Sequence, residues 1–89
     1  MVARRIQAFG KVQGVFYRAS TKNKADELEL SGWVKNEPDG TVLIEAKGQK
    51  DRIESFIEWC KEGPQFAKVT SLAVEEIHLL NITEFEVRY

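Results

Sequence analysis

Gly32-Trp33-Val34-Lys35-Asn36-Glu37-Pro38-Asp39-Gly40-Thr41-Val42-Leu43-Ile44-Glu45-Ala46-Lys47-Gly48 reads as two strands joined by a tight turn. Asp-Gly is among the strongest short-range hairpin signals, because glycine accepts positive φ without a Cβ clash. Beyond the turn, Val42, Ile44 and Ala46 alternate with Thr41, Leu43, Glu45 and Lys47, and Gly48 ends the run. Period-two alternation is the mark of a strand with one face on a core. The hairpin lies in the middle of the chain, so the elements on either side of it decide the architecture.

Upstream, Ile6, Ala8, Gly10 and Val12 alternate with Arg5, Gln7, Phe9 and Lys11, which predicts a first strand. From about Ala19 to Leu30 the chain is rich in helix formers, with Thr21, Ala25 and Leu28 at i, i+4 and i+7. Downstream, Ile53, Phe56, Ile57 and Cys60 fall at i, i+3, i+4 and i+7, the apolar stripe of a second helix. Asp51 near its start suits the positive end of the helix dipole, and Gly63-Pro64 is a stop signal. Val69 to about Ile77 reads as a further strand, and Phe85, Val87 and Tyr89 alternate with Glu84, Glu86 and Arg88 in a last one. The order β-α-β-β-α-β with an extra C-terminal strand predicts a ferredoxin-like α+β sandwich, two helices packed on one face of an antiparallel sheet. Enzymes, metal carriers and RNA binders all use that fold, so function has to come from a site.

The 89 residues fit a single domain, 1–89, with one small core. Thirteen Lys and Arg against fourteen Asp and Glu leave a net charge of −1, which argues against a dedicated nucleic-acid binder yet leaves room for one anion site. Cys60 is the only cysteine, so no intrachain disulfide forms and a reducing compartment is expected. The N-terminus lacks a signal-peptide apolar run, and no stretch approaches the ~18 apolar residues of a membrane span. A cytoplasmic monomer without a membrane partner is the expectation, with no long apolar edge strand evident.

The chemistry concentrates in Gly10-Lys11-Val12-Gln13-Gly14-Val15-Phe16-Tyr17-Arg18, between a strand and a helix start. Backbone N–H groups there lack partners and the dipole favours an anion. Gly14 permits close backbone approach, successive N–H groups in such a turn can form an anion nest, and Arg18 can add a planar clamp for phosphate or carboxylate oxygens. On spacing alone, the glycines could equally shape a plain turn with Arg18 in a surface ion pair, and Asn36 could be a turn residue before Pro38-Asp39-Gly40.

This run closely resembles the acylphosphatase signature, Gly-x-Val-Gln-Gly-Val-x-Phe-Arg. A second block, Leu28-Glu29-Leu30-Ser31-Gly32-Trp33-Val34-Lys35-Asn36 followed by Asp39-Gly40-Thr41-Val42, is similar to that family's Leu-Gly-Leu-x-Gly-Trp-Val-x-Asn and Asp-Gly-x-Val. Gly63-Pro64, Ala67-Lys68-Val69 and Phe85-Glu86-Val87-Arg88-Tyr89 also fit, so the resemblance spans nearly the whole chain. It implies an acylphosphatase that hydrolyses the carboxyl–phosphate bond of small acyl phosphates to carboxylate and inorganic phosphate, without metal or cofactor. It further implies that Arg18 binds the phosphoryl group, that Asn36 orients the attacking water, and that Gln13, Gly14, Val15, Phe16 and Tyr17 form a cradle through their backbone N–H groups. Two departures stand out: Tyr17 occupies a position usually held by Phe, and Glu29 one often held by Gly.

Other residues point to structure. His78 has no ligand cluster near it in sequence, and Cys60 lies on the apolar stripe of a helix. One cysteine also excludes the paired-thiol metal carriers of this fold. Glu54, Glu58, Lys61 and Glu62 read as a solvated helix face, and Trp33, Trp59 and Phe66 as core or half-core residues. An RNA-binding module would place aromatics on the central strands, whereas Thr41 to Lys47 has none. A non-catalytic anion-binding module is the stronger alternative, although it would have no need of a water-orienting Asn36.

Overall fold

The computed structural model describes residues 1–78 and 81–89. In chain order its elements are β1 (Val2–Lys11), α1 (Tyr17–Glu27), β2 (Ser31–Asn36), β3 (Val42–Gly48), α2 (Lys50–Glu62), β4 (Lys68–Glu76) and β5 (Phe85–Arg88). The strands form one sheet in the order β4-β1-β3-β2-β5. β1 pairs antiparallel with β3 and with β4, and β2 antiparallel with β3. The fifth strand departs from the antiparallel expectation, since β5 runs parallel to β2 with Gly32 opposite Phe85. The ferredoxin-like α+β sandwich is therefore present with a mixed sheet.

The core follows the two periodicities. Ile6, Ala8 and Val12 from the β1 side, Val34 of β2, and Val42, Ile44 and Ala46 of β3 are buried together with Ala25 of α1 and Ile53, Phe56 and Cys60 of α2. Phe56 packs edge-on to Phe85 at a centroid distance of 6.1 Å and stacks with Trp59 at 6.4 Å. Burying one such ring contributes about 1.5–3 kcal/mol. Trp33 and Trp59 are half-buried as expected, but Phe66 is not a core residue: it sits in the loop after α2 and is 65% exposed. Glu54, Glu58, Lys61 and Glu62 are exposed, as is His78.

β4 is an edge strand of nine residues. Phe9 pairs with Ser71 and Gly10 with Val69, which leaves Thr70 as the extra residue of a bulge. The bulge, Lys68 at one end and Glu75-Glu76 at the other blunt this edge against a further strand. Among the described residues no helix is long and apolar enough to cross a membrane.

Candidate active site

The link from β1 to α1 is built from two left-handed residues. Gly14 has φ 73°, and a Cβ there would meet no atom within 4 Å, so backbone conformation rather than crowding calls for glycine. Phe16, the residue before α1, has φ 64°, a conformation rare for a bulky side chain and characteristic of functional turns. This turn buries Val15 and Tyr17 while its Phe16 ring is left 76% exposed. No side chain caps α1, and no acidic residue lies in its first turn. The helix therefore offers its N-terminal N–H groups, and the positive end of its dipole, without a competing carboxylate.

The start of α1 borders a cleft of about 290 Å³ lined by Val12, Gly14, Phe16, Tyr17, Arg18 and Ala19, by Asn36 at the end of β2, and by Val87 and Tyr89. The structure thus brings Arg18 and Asn36, eighteen positions apart in sequence, to one cleft. Gly14, Phe16 and Tyr17 line it as well. The side chains of Gln13 and Val15 do not: that of Val15 is buried in the core, and that of Gln13 turns toward the β2–β3 turn, which leaves only their backbone N–H groups for a cradle. Tyr17 keeps its ring in the core at 1% exposure, so its share of the lining lies close to the backbone.

Arg18 has no carboxylate partner among the described residues. Its Nη1 donates to the Arg88 carbonyl at 3.2 Å, and its guanidinium lies 4.7 Å from the centroid of the Tyr89 ring. A guanidinium carries five N–H donors, so this anchoring leaves most of the fork available to a ligand. Sequence patterning alone gives no sign that Val87 and Tyr89 belong to the site. They reach the cleft because β5 pairs parallel to β2, a long-range pairing that alternation of Phe85, Val87 and Tyr89 does not encode.

Asn36 pairs with Val42 where the hairpin opens. The turn is closed by Gly40 N–H donating to Glu37 O at 3.1 Å and Glu37 N–H donating to Thr41 O at 2.8 Å. Pro38 and Asp39 form its centre and Gly40, at φ 91°, its left-handed residue. This is a three-residue hairpin loop with a bulge at the glycine, not a two-residue Asp-Gly turn. Asp39 Oδ1 accepts from the Thr41 hydroxyl at 2.6 Å and from the Thr41 N–H at 3.0 Å. Those two bonds, the hydroxyl's foremost, hold the Asp39 carboxyl below its usual range.

Chemically, the cleft combines backbone N–H groups, one arginine and one neutral carboxamide. That set can neutralise a phosphoryl group and orient a water, and no histidine, aspartate or glutamate side chain is among its lining residues. Among the described residues, no three His, Cys, Asp or Glu side chains converge as a metal site.

Comparison with known proteins agrees with this geometry. The family model described as Acylphosphatase matches residues 4–87. An acylphosphatase of Methylococcus capsulatus is 48% identical over 79 residues, 88% of this chain and 86% of that protein. One of Marinobacter nauticus is 54% identical over 68 residues, 76% of this chain and 74% of that protein. The crystal structure of acylphosphatase from Bacillus subtilis superposes with a TM-score of 0.96 at 41% identity, covering 100% of both chains. By family match, relatives and fold, this chain belongs to the acylphosphatases and hydrolyses the carboxyl–phosphate bond of acyl phosphates.

Proposed function

We propose that Arg18 and Asn36 perform this hydrolysis, with the turn around Gly14 as the phosphoryl cradle. The observation that carries the reading is the convergence of both side chains on the cleft at the start of α1. An acyl phosphate is already activated, because its carboxylate is a good leaving group. Phosphoryl transfer then requires mainly positioning and compensation of charge on the equatorial oxygens. Arg18 and the N–H groups of the Gln13–Tyr17 segment supply the compensation. The Asn36 carboxamide accepts from a water through its carbonyl and holds it in line with phosphorus.

Water oxygen bonds to phosphorus as the bond to the acyl oxygen breaks, and the electron pair leaves with the carboxylate. Both water protons end on the phosphate, so the substrate's own oxygen takes the place of a protein base. No metal or cofactor enters this scheme, and turnover is expected to vary little with pH near neutrality. The substrate is a small acyl phosphate, inorganic phosphate is a product, and nucleic acid is not a partner. The chain acts in this reading as a single-domain cytoplasmic monomer, supported by its charge balance and lone buried thiol.

The test is hydrolysis of benzoyl phosphate in excess EDTA by wild type, Arg18→Ala and Asn36→Ala. Wild-type turnover should survive the chelator. Arg18→Ala should lose about 3–4 kcal/mol of transition-state stabilisation, the scale of a lost oxyanion donor. Asn36→Ala should lower kcat more than it raises KM, because it acts on water rather than on bound substrate. Full turnover in Asn36→Ala would refute the water-orienting role.

A further inference from the structure

Gln13 points its side chain away from the cleft. Its Nε2 donates to Glu37 O and to Thr41 O, both at 2.8 Å. Each of those carbonyls already accepts one backbone N–H that closes the turn, from Gly40 and from Glu37 respectively. One carboxamide therefore fills the second acceptor site of both turn carbonyls, using both of its N–H groups. The ladder itself cannot supply these donors. β1 and β3 separate after Ala8 pairs with Val42, just where the phosphoryl cradle begins. The Gln13 side chain spans the gap left by that separation, and it ties the loop that ends in Arg18 to the turn that begins beside Asn36.

We propose that Gln13 is a positioning residue for hydrolysis, acting through its side-chain amide to fix Asn36 relative to Arg18 and the cradle. The inference rests on the reading of Asn36 as the water-orienting group. A second strut supports the same turn: Gln7 Nε2 donates to Thr41 Oγ1 at 2.9 Å, and that hydroxyl donates to Asp39. The turn thus has its own closure and a Gln7–Thr41–Asp39 support. What Gln13 adds is the connection to the loop bearing the phosphoryl site. Without it the hairpin keeps its shape, and the distance between water and phosphorus is no longer held.

The experiment compares Gln13→Met, which removes both donors at similar length, with Gln13→Glu, which turns acceptor oxygens toward two carbonyls. Folded protein is verified by near-ultraviolet circular dichroism. On benzoyl phosphate, both variants should lose about 10- to 100-fold in kcat, the range an ångström of misplacement produces. Competitive inhibition by inorganic phosphate should stay within about threefold, since Arg18 is untouched. In the Asn36→Ala background, either substitution should cost nothing further, because both act on one function. Multiplicative losses in the double variant, or unchanged kcat in both single variants, overturn the positioning role while leaving Asn36's own role standing. Full turnover in Asn36→Ala overturns both readings. Failure of both Gln13 variants to fold would make Gln13 a residue of the fold and overturn the proposal.

Discussion

Cys60 lies in the last turn of α2, and its carbonyl would ordinarily accept the N–H of the residue four places on. That residue is Pro64, which has none, while the Gly63 N–H is taken by Trp59. The hydroxyl of Tyr17 fills the vacancy, donating to Cys60 O at 2.8 Å in a fully buried position. The Tyr17 hydroxyl thus ties the start of α1 to the end of α2. Tyr17→Phe leaves a buried carbonyl short of a donor and should cost about 1–2 kcal/mol. The check is a lower urea midpoint at unchanged m-value. The same burial pushes the Tyr17 phenol far up and the Cys60 thiol up to about 12. For both groups the folded state favours the neutral form. That contribution is complete below the unfolded values, near 8.5 for thiol and about 10 for phenol. It is lost as pH rises through the folded ones, so Tyr17→Phe should also flatten the loss of stability in alkali.

Helix α1 shows how far elements are legible in a sequence. Its apolar signal is weak, and the stretch expected from Ala19 to Leu30 lies at Tyr17–Glu27. Both ends are shifted for one physical reason: each is built on a left-handed residue of a type that does not announce it. At the start it is Phe16, with no Ser, Thr, Asp or Asn to mark a cap. At the end it is Glu29, at φ 58°. There the Glu29 N–H donates to Asp26 O at 3.1 Å and the Leu30 N–H to Ala25 O at 2.9 Å. That is a Schellman cap with glutamate where glycine is preferred. Glu29 is also paired with Arg52 at 2.6 Å, but the carboxylate is largely exposed and such a pair contributes little. Glu29→Gly should therefore raise stability by about 0.5–1 kcal/mol, the left-handed strain outweighing both the lost pair and glycine's greater unfolded-state entropy. Thermal unfolding tests it, and a lower midpoint would show the ion pair to dominate. By contrast α2, whose Ile53, Phe56 and Cys60 are all buried and whose stop is Gly63-Pro64, matches its pattern closely.

At the scale of the molecule, local patterns describe each strand and do not describe who its neighbours are. The sheet order places β3 between β1 and β2, so the loop leaving β1 and the turn leaving β2 open at the same end. Nothing in the alternation of either strand encodes that meeting. The motif resemblance pointed to Arg18 and Asn36, while their shared cleft, the Gln13 tie and the Tyr89 wall emerge only from the packed sheet. A site assembled from β1, α1, β2 and β5 exists only in the folded chain, so its ligand must stabilise the whole. At ten times its Kd, inorganic phosphate should add about 1.4 kcal/mol by mass action. For a domain of this size that is a rise in Tm of roughly 6–10 °C. Arg18→Ala should remove most of the shift by weakening phosphate itself. Asn36→Ala should preserve it on the proposed reading, in which the carboxamide holds water and not the anion. Scanning calorimetry of the three proteins across a phosphate series separates the two roles without any turnover. An equal loss of protection in both variants would make Asn36 part of the anion site instead, and a shift that survives Arg18→Ala would place the anion elsewhere on the molecule.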